Sequence, residues 1–249
     1  MRVESSSKAI DVIERDFRLF FADRYMIVIM FVNFGIDLGV SGLSLGNMIR
    51  GLGFSYFLFI APGANLITAT VAAFQSGRDV WRERIIQDTQ QYLLTLSVPK
   101  NTFAASRLVS GMLRSVLTTL PGTIVIALLY GLSFPFFLVG LLITLVYSGA
   151  VAGLSIAAAA LANSLELFAT VRSTVQVFLS FFSVQFYPSQ DMPQIVLVVS
   201  NFNPMTWAVE LFRGLQAGSV DLALFAPLSG LSGALMVAGF LLYRRTMEY

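Results

Sequence analysis

Three sets of residues in this sequence carry groups that could do chemistry. The first is the run 76–107, SGRDVWRERIIQDTQQYLLTLSVPKNTFAASR, where Arg82, Glu83, Arg84 and Asp88 stand beside Gln87, Gln91 and Tyr92. Charges one helical turn apart, such as Arg84 and Asp88, pair with each other. They hold and dock; they do not make or break bonds. The second is Asp37, the one acid inside an apolar run. An ionisable group at bilayer depth can carry a proton or a sodium ion. The plainer alternative leaves Asp37 wetted at the outer end of its run, or paired with Arg50. The third is 187–214, broken by Pro188, Pro193 and Pro204, where Glu210 and Arg213 are three apart and able to pair.

Much other chemistry is excluded. The chain has no histidine and no cysteine, which removes the commonest metal ligand, the usual base near neutral pH and every thiolate site. Its only lysines, Lys8 and Lys100, follow no G-x-x-x-x-G-K-[ST] loop. One acid is not a carboxylate pair. An enzyme is not expected here, nor a bound cofactor or metal, and nucleic acid is not expected as a partner.

The elements that position these residues are set by the solvent. Of 249 residues, 56% are hydrophobic and 12% charged, against about 25% charged in an ordinary soluble domain. Mean hydropathy is +0.77. A bilayer is the medium that fits. A crossing helix needs about 20 mostly apolar residues, and six stretches qualify: 25–44, 54–74, 108–130, 136–162, 171–186 and 222–243. No small-residue cleavage site follows the first, which reads as a permanent span. Arginine and lysine crowd the connections on one side, at Arg2, Lys8, Arg15, Arg18, Arg24, Arg78, Arg82, Arg84, Lys100, Arg107, Arg172, Arg244 and Arg245. The other side has Arg50 and Arg213. The basic side faces the cytoplasm, so both termini and the run 76–107 are expected there.

The expected fold is an all-α integral membrane protein, one domain over 1–249. Residues 1–24 form an amphipathic interfacial helix, with Ile10, Ile13, Phe17 and Phe20 opposite Asp11, Glu14, Arg15 and Arg18. Residues 25–75 hold spans one and two, and 108–186 hold spans three to five. Residues 222–249 hold span six and a tail. Gly149, Gly153 and Ala157, and likewise Gly230, Ala234 and Ala238, are four apart and predict close helix packing. Pro62 and Pro121 predict kinks. No internal repeat of the secondary-transporter kind is visible. Within 76–107, Trp81, Ile85 and Tyr92 fall roughly on one face and Pro99 ends the pattern. An apolar face flanked by charge is how a short helix docks into a partner's groove.

Three stretches together resemble the ABC-2 type family of ABC-transporter membrane subunits: FIAPG opening span two, RERIIQDTQQYLLTLSVPKNTFAASRL, and FYPSQDMPQIVLVVSNFNPMTWAVELFRG before span six. The family's Arg-Glu-x-Gly-Thr core reads Arg82-Glu83-Arg84 here, without Gly-Thr. The resemblance covers nearly the whole chain. It implies a permease subunit of an ATP-driven exporter in the plasma membrane of a prokaryote. Such a permease works with a second, identical or homologous subunit and with separate ATP-binding subunits that carry the ATP and Mg. It implies a coupling helix near 87–96 that rests in the ATPase, with Arg82, Glu83, Arg84, Gln87, Asp88, Gln91, Tyr92, Leu93 and Leu94 at the contact. It implies an exit gate of re-entrant helices over 187–221, using Pro188, Pro193, Asn203, Pro204, Thr206, Glu210 and Arg213. Spans two and five would line the pathway, with Asn65, Thr68, Phe178, Phe181 and Phe182 toward the cargo. An ion-coupled carrier centred on Asp37 and a non-transporting membrane scaffold are the alternatives.

Overall fold

The computed structural model describes residues 2–22, 56–87, 89–95 and 98–247, together with separate positions between 25 and 40. Its elements are helices: α1 (Arg2–Ala22), α2 (Tyr56–Ile85), α3 (Thr89–Thr95), α4 (Lys100–Tyr130), α5 (Phe134–Leu161), α6 (Leu165–Phe181), α7 (Gln194–Ser200), α8 (Pro204–Gln216) and α9 (Leu222–Arg245), with a 3-10 turn at Ser189–Asp191. Most of the first expected span lies outside the described residues. Among the described residues four helices, α2, α4, α5 and α9, are long and apolar enough to cross a membrane, or five if the bent pair α7–α8 counts as one span. At 17 residues α6 reaches about 25 Å, short of a full hydrocarbon core.

The charged run is not a separate connection. The helix of span two continues to Ile85 and that of span three starts at Lys100, eight residues before its apolar stretch. No proline falls between Gln75 and Ile85, and Gly77 packs closely against Ser155 of α5, so the backbone continues into the charges. Pro99 precedes the first turn of α4, where its missing N–H costs nothing. Both α2 and α4 also run through their internal prolines, Pro62 and Pro121.

In its most apolar window α2 is 78% buried, against 17% for α9. It is therefore the axis, with α4 and α5 packed along it, while α9 lies outside against α5. Polar pairs tie these helices where lipid offers no partner: Thr70 to the Tyr147 hydroxyl at 2.8 Å, and Ser155 to the Ala73 carbonyl at 2.8 Å. The α5–α9 seam corrects one expectation. Gly149 and Gly153 do face α9, and a Cβ on Gly153 would strike the Leu235 carbonyl. From α9, however, the contact comes from Ser232, Met236 and Gly239, while Gly230, Ala234 and Ala238 face outward. Four-residue spacing alone does not say which face of a helix meets its neighbour.

Candidate functional site

Among the described residues, networks of polar groups gather at the two ends of α2. At the C-terminal end, α2, α4 and α1 converge on an ionic network. Arg107, with a side chain only 4% exposed, reaches the carboxylates of Glu83 and of Asp16, the latter at 2.5 Å. Arg15 meets the other Glu83 oxygen at 2.9 Å. Arg114 meets Asp79 at 2.7 Å and lies over the Phe20 ring, 4.8 Å from its centroid. Helix α1 is thereby fastened to the protein by part of its polar face, Arg15 and Asp16, together with Val12 and Phe20, which are buried. Ile10, expected on the apolar face, points outward, and Ile13 and Phe17 are half-buried. The network lines a partly open cavity of about 310 Å³.

Beyond this network the chain turns into α3. The Trp81 indole and the Arg84 guanidinium both donate to the Ala162 carbonyl, at 3.0 and 2.6 Å, and so close the C-terminus of α5. Trp81 is therefore buried and does not share an open face with Ile85 and Tyr92. Helix α3 is anchored through Gln90, whose Oε1 accepts from the Tyr243 hydroxyl of α9 at 3.3 Å. Around that anchor Ile86 and Tyr92 are 60% and 64% exposed. Of the residues expected at an ATPase contact, Arg82, Gln87 and Tyr92 face outward, Arg84 is half-buried and Glu83 lies inside the network. Asp88, and the side chains of Gln91, Leu93 and Leu94, lie outside the described residues, as does Asp37.

At the N-terminal end of α2 the backbone is irregular. Between Phe182 and Pro193 no α-helix runs, and α7 and α8 meet at 87°. Peptide groups in such a segment need partners inside the protein, and three side chains supply them. Asn203 caps α8 by accepting from Met205 N at 2.9 Å, and its amide donates to the carbonyls of Leu179 (3.0 Å) and Phe182 (2.7 Å) at the end of α6. Arg213 donates to Val184 (2.9 Å), Phe59 (3.2 Å) and Gln185 (3.3 Å), with its guanidinium 3.5 Å from the Phe59 ring centroid. The ion pair expected between Arg213 and Glu210 is replaced by these carbonyls. Tyr56 of α2 donates to the Phe186 carbonyl at 3.0 Å. Thr206 bonds the Ser200 hydroxyl at 2.8 Å across the bend. Pro188 and Pro193 occupy the positions just before the 3-10 turn and α7, and Pro204 is the first residue of α8. The expected gate residues other than Glu210 thus act as caps, breakers and carbonyl partners of one structure.

The candidate pathway residues are split. Asn65 is fully buried and donates to Thr123 at 2.9 Å, and Thr68 is buried on its own helix. Phe178, Phe181 and Phe182 face outward from α6, Phe178 stacked on Phe182 at 5.4 Å. Sequence reasoning missed Asp16, Asp79, Arg107 and Arg114 as partners. Their signal was weak: each belongs to a different stretch, and only the fold places them together.

The model of the family described as ABC-2 type transporter matches residues 11–217, from within α1 to the end of α8. No curated protein matches the chain.

Proposed function

The chain belongs to the ABC-2 type transporter family, whose membrane domain is a permease and not an ATPase, and from that premise we propose that it serves an ATP-driven exporter. Two such subunits, identical or homologous, form the pathway in the plasma membrane of a prokaryote. Both termini and α3 face the cytoplasm. The cargo is amphipathic: drug-like, lipid-like or a glycan. ATP and Mg act on the separate ATP-binding subunit.

One observation carries this reading. A short helix, α3, is held at the end of a continuous 30-residue rod, α2, with Ile86 and Tyr92 left open beside it. Apolar groups beside charge suit a groove in a protein partner. Helix α2 is about 45 Å long. Its far end contacts the broken segment through Tyr56 and the Phe59 carbonyl. When the ATPase pair closes on ATP, a push on α3 tilts α2 and α4, which the ionic network joins, and loads the carbonyl contacts of the gate. The outward phenylalanines of α6 then meet the second subunit and the cargo.

The test is co-purification. The wild-type chain should retain a P-loop ATPase in detergent and support ATP-dependent transport after reconstitution. The double variant Ile86→Asp/Tyr92→Asp should keep its melting temperature but lose ATPase retention at least tenfold, and Leu93→Asp/Leu94→Asp should behave alike. Full retention and transport in both variants, or transport that persists without ATP and collapses with an ion gradient, overturns the reading.

A further inference from the structure

The cavity among α1, α2 and α4 is more than a by-product of the ionic network. We propose that it binds a phosphate group, presented by an anionic phospholipid of the adjoining leaflet or by free phosphate. Its walls carry five arginines, Arg15, Arg78, Arg82, Arg107 and Arg114, against three acids, Asp16, Asp79 and Glu83, a surplus of two positive charges. All three acids are already shared. Asp16 and Glu83 each serve Arg15 and Arg107, and Asp79 serves Arg78 and Arg114. Arg82 has no ion-pair partner among the described residues. Three guanidinium nitrogens on lining side chains also have no hydrogen-bond acceptor among the described residues: Nη1 of Arg15, Nε of Arg107 and Nε of Arg114. The Arg107 side chain is more than nine-tenths buried. These nitrogens lie within the walls, and with Arg82 unpaired the cavity is lined by positive charge that the described residues do not neutralise.

Phosphate fits the demand. It brings several oxygens around one centre and a full negative charge, the geometry that arginine forks recognise best. A volume of about 310 Å³ admits the group with part of its ester. The lipid source is favoured by the remaining wall, Phe17, Leu19 and Phe20 of α1. Leu19 and the adjacent Phe21 face outward, so an acyl chain has an apolar path away from the arginines along a helix lying at the interface. Basic pockets beside membrane helices hold anionic headgroups in this way. The site does not depend on the ATPase contact proposed above.

The full chain in phosphatidylcholine nanodiscs gives the reference melting temperature. Phosphatidylglycerol in the disc should raise it, and native mass spectrometry should show that lipid retained on the protein. Arg82→Gln and Arg78→Gln each leave the Arg107 and Arg114 pairs in place, and each should weaken retention about fivefold. Lys100→Gln, on a basic residue that does not line the cavity, should not. If inorganic phosphate alone raises the melting temperature as far as the lipid does, and the arginine variants lose that rise, the ligand is free phosphate. Equal loss in Lys100→Gln, or undiminished retention in Arg82→Gln with an unchanged reference melting temperature, overturns the site.

Discussion

Arg107 and Arg213 stand at opposite ends of α2, roughly 36 Å apart by helix rise, and they answer the same difficulty differently. A guanidinium in an apolar protein must find acceptors to replace water. Arg107 finds carboxylates on two other helices; Arg213 finds three backbone carbonyls and an aromatic face. In the first case the charge ties regular helices into a unit that can transmit a load. In the second it replaces hydrogen bonds that an irregular backbone cannot make for itself. The ionic end is thus suited to rigidity. The carbonyl end is suited to movement, since donors of one arginine can be exchanged among carbonyls of one segment.

The largest effect is expected where a buried charge loses its counter-charge. Arg107→Met leaves Glu83, whose side chain is 9% exposed, and Asp16 to share Arg15 alone, so one buried carboxylate is left uncompensated. The loss should be about 3–5 kcal/mol in a detergent unfolding titration. Adding Glu83→Gln in the same chain should recover a good part of it, because Arg15 then has only Asp16 to balance. A loss under about 1 kcal/mol, the range of exposed pairs, would mean that this end is solvated and the contrast with Arg213 false.

The same contrast explains what was legible in the sequence. Apolar stretch length located α2, α4, α5 and α9, and lysine and arginine placement found the charged end. The proline spacing found the broken segment. What escaped were pairings across long separations. Asp16 to Arg107 spans 91 positions and Arg213 to Phe59 spans 154, and no local period encodes either. Local rules even misled: Glu210 lies one turn from Arg213, yet the carbonyls of 184 and 185 are what it serves. Helix ends failed for a related reason. Apolarity reports the lipid boundary, whereas α2 and α4 continue as helices into the charged layer.

A smaller loss is expected at the carbonyl end. Arg213→Met leaves the carbonyls of Val184 and Gln185 without their donor, at about 1–3 kcal/mol for a buried unsatisfied group. Relaxation of an irregular segment toward water should hold the total near 2 kcal/mol. Arg213→Lys keeps the charge but loses the fork, so it should fall between wild type and Met. Hydrogen exchange should rise over 182–193 in Arg213→Met while the amides of α4 near Arg107 keep their protection. Exchange that rises equally at both ends would show that the two regions unfold as one, and the division between rigid and movable ends would fail.

The smallest effect sharpens the comparison most, because it separates capping from carbonyl binding within one side chain. Asn203 accepts from Met205 N with its oxygen and donates to Leu179 and Phe182 with its nitrogen. Asn203→Ala loses both functions and should cost about 1 kcal/mol, as caps do. Asn203→Asp keeps the acceptor for the cap but turns a second oxygen toward the carbonyls at the end of α6. If the cap is what counts, Asp restores wild-type stability. If holding the end of α6 is what counts, Asp is worse than Ala, and exchange increases at 178–186 and not in the first turn of α8. The buried amide, with its nitrogen shared among carbonyls of another helix, favours the second outcome: at this end of the molecule stability resides in backbone acceptors, and a negative charge is the one substitution they cannot absorb.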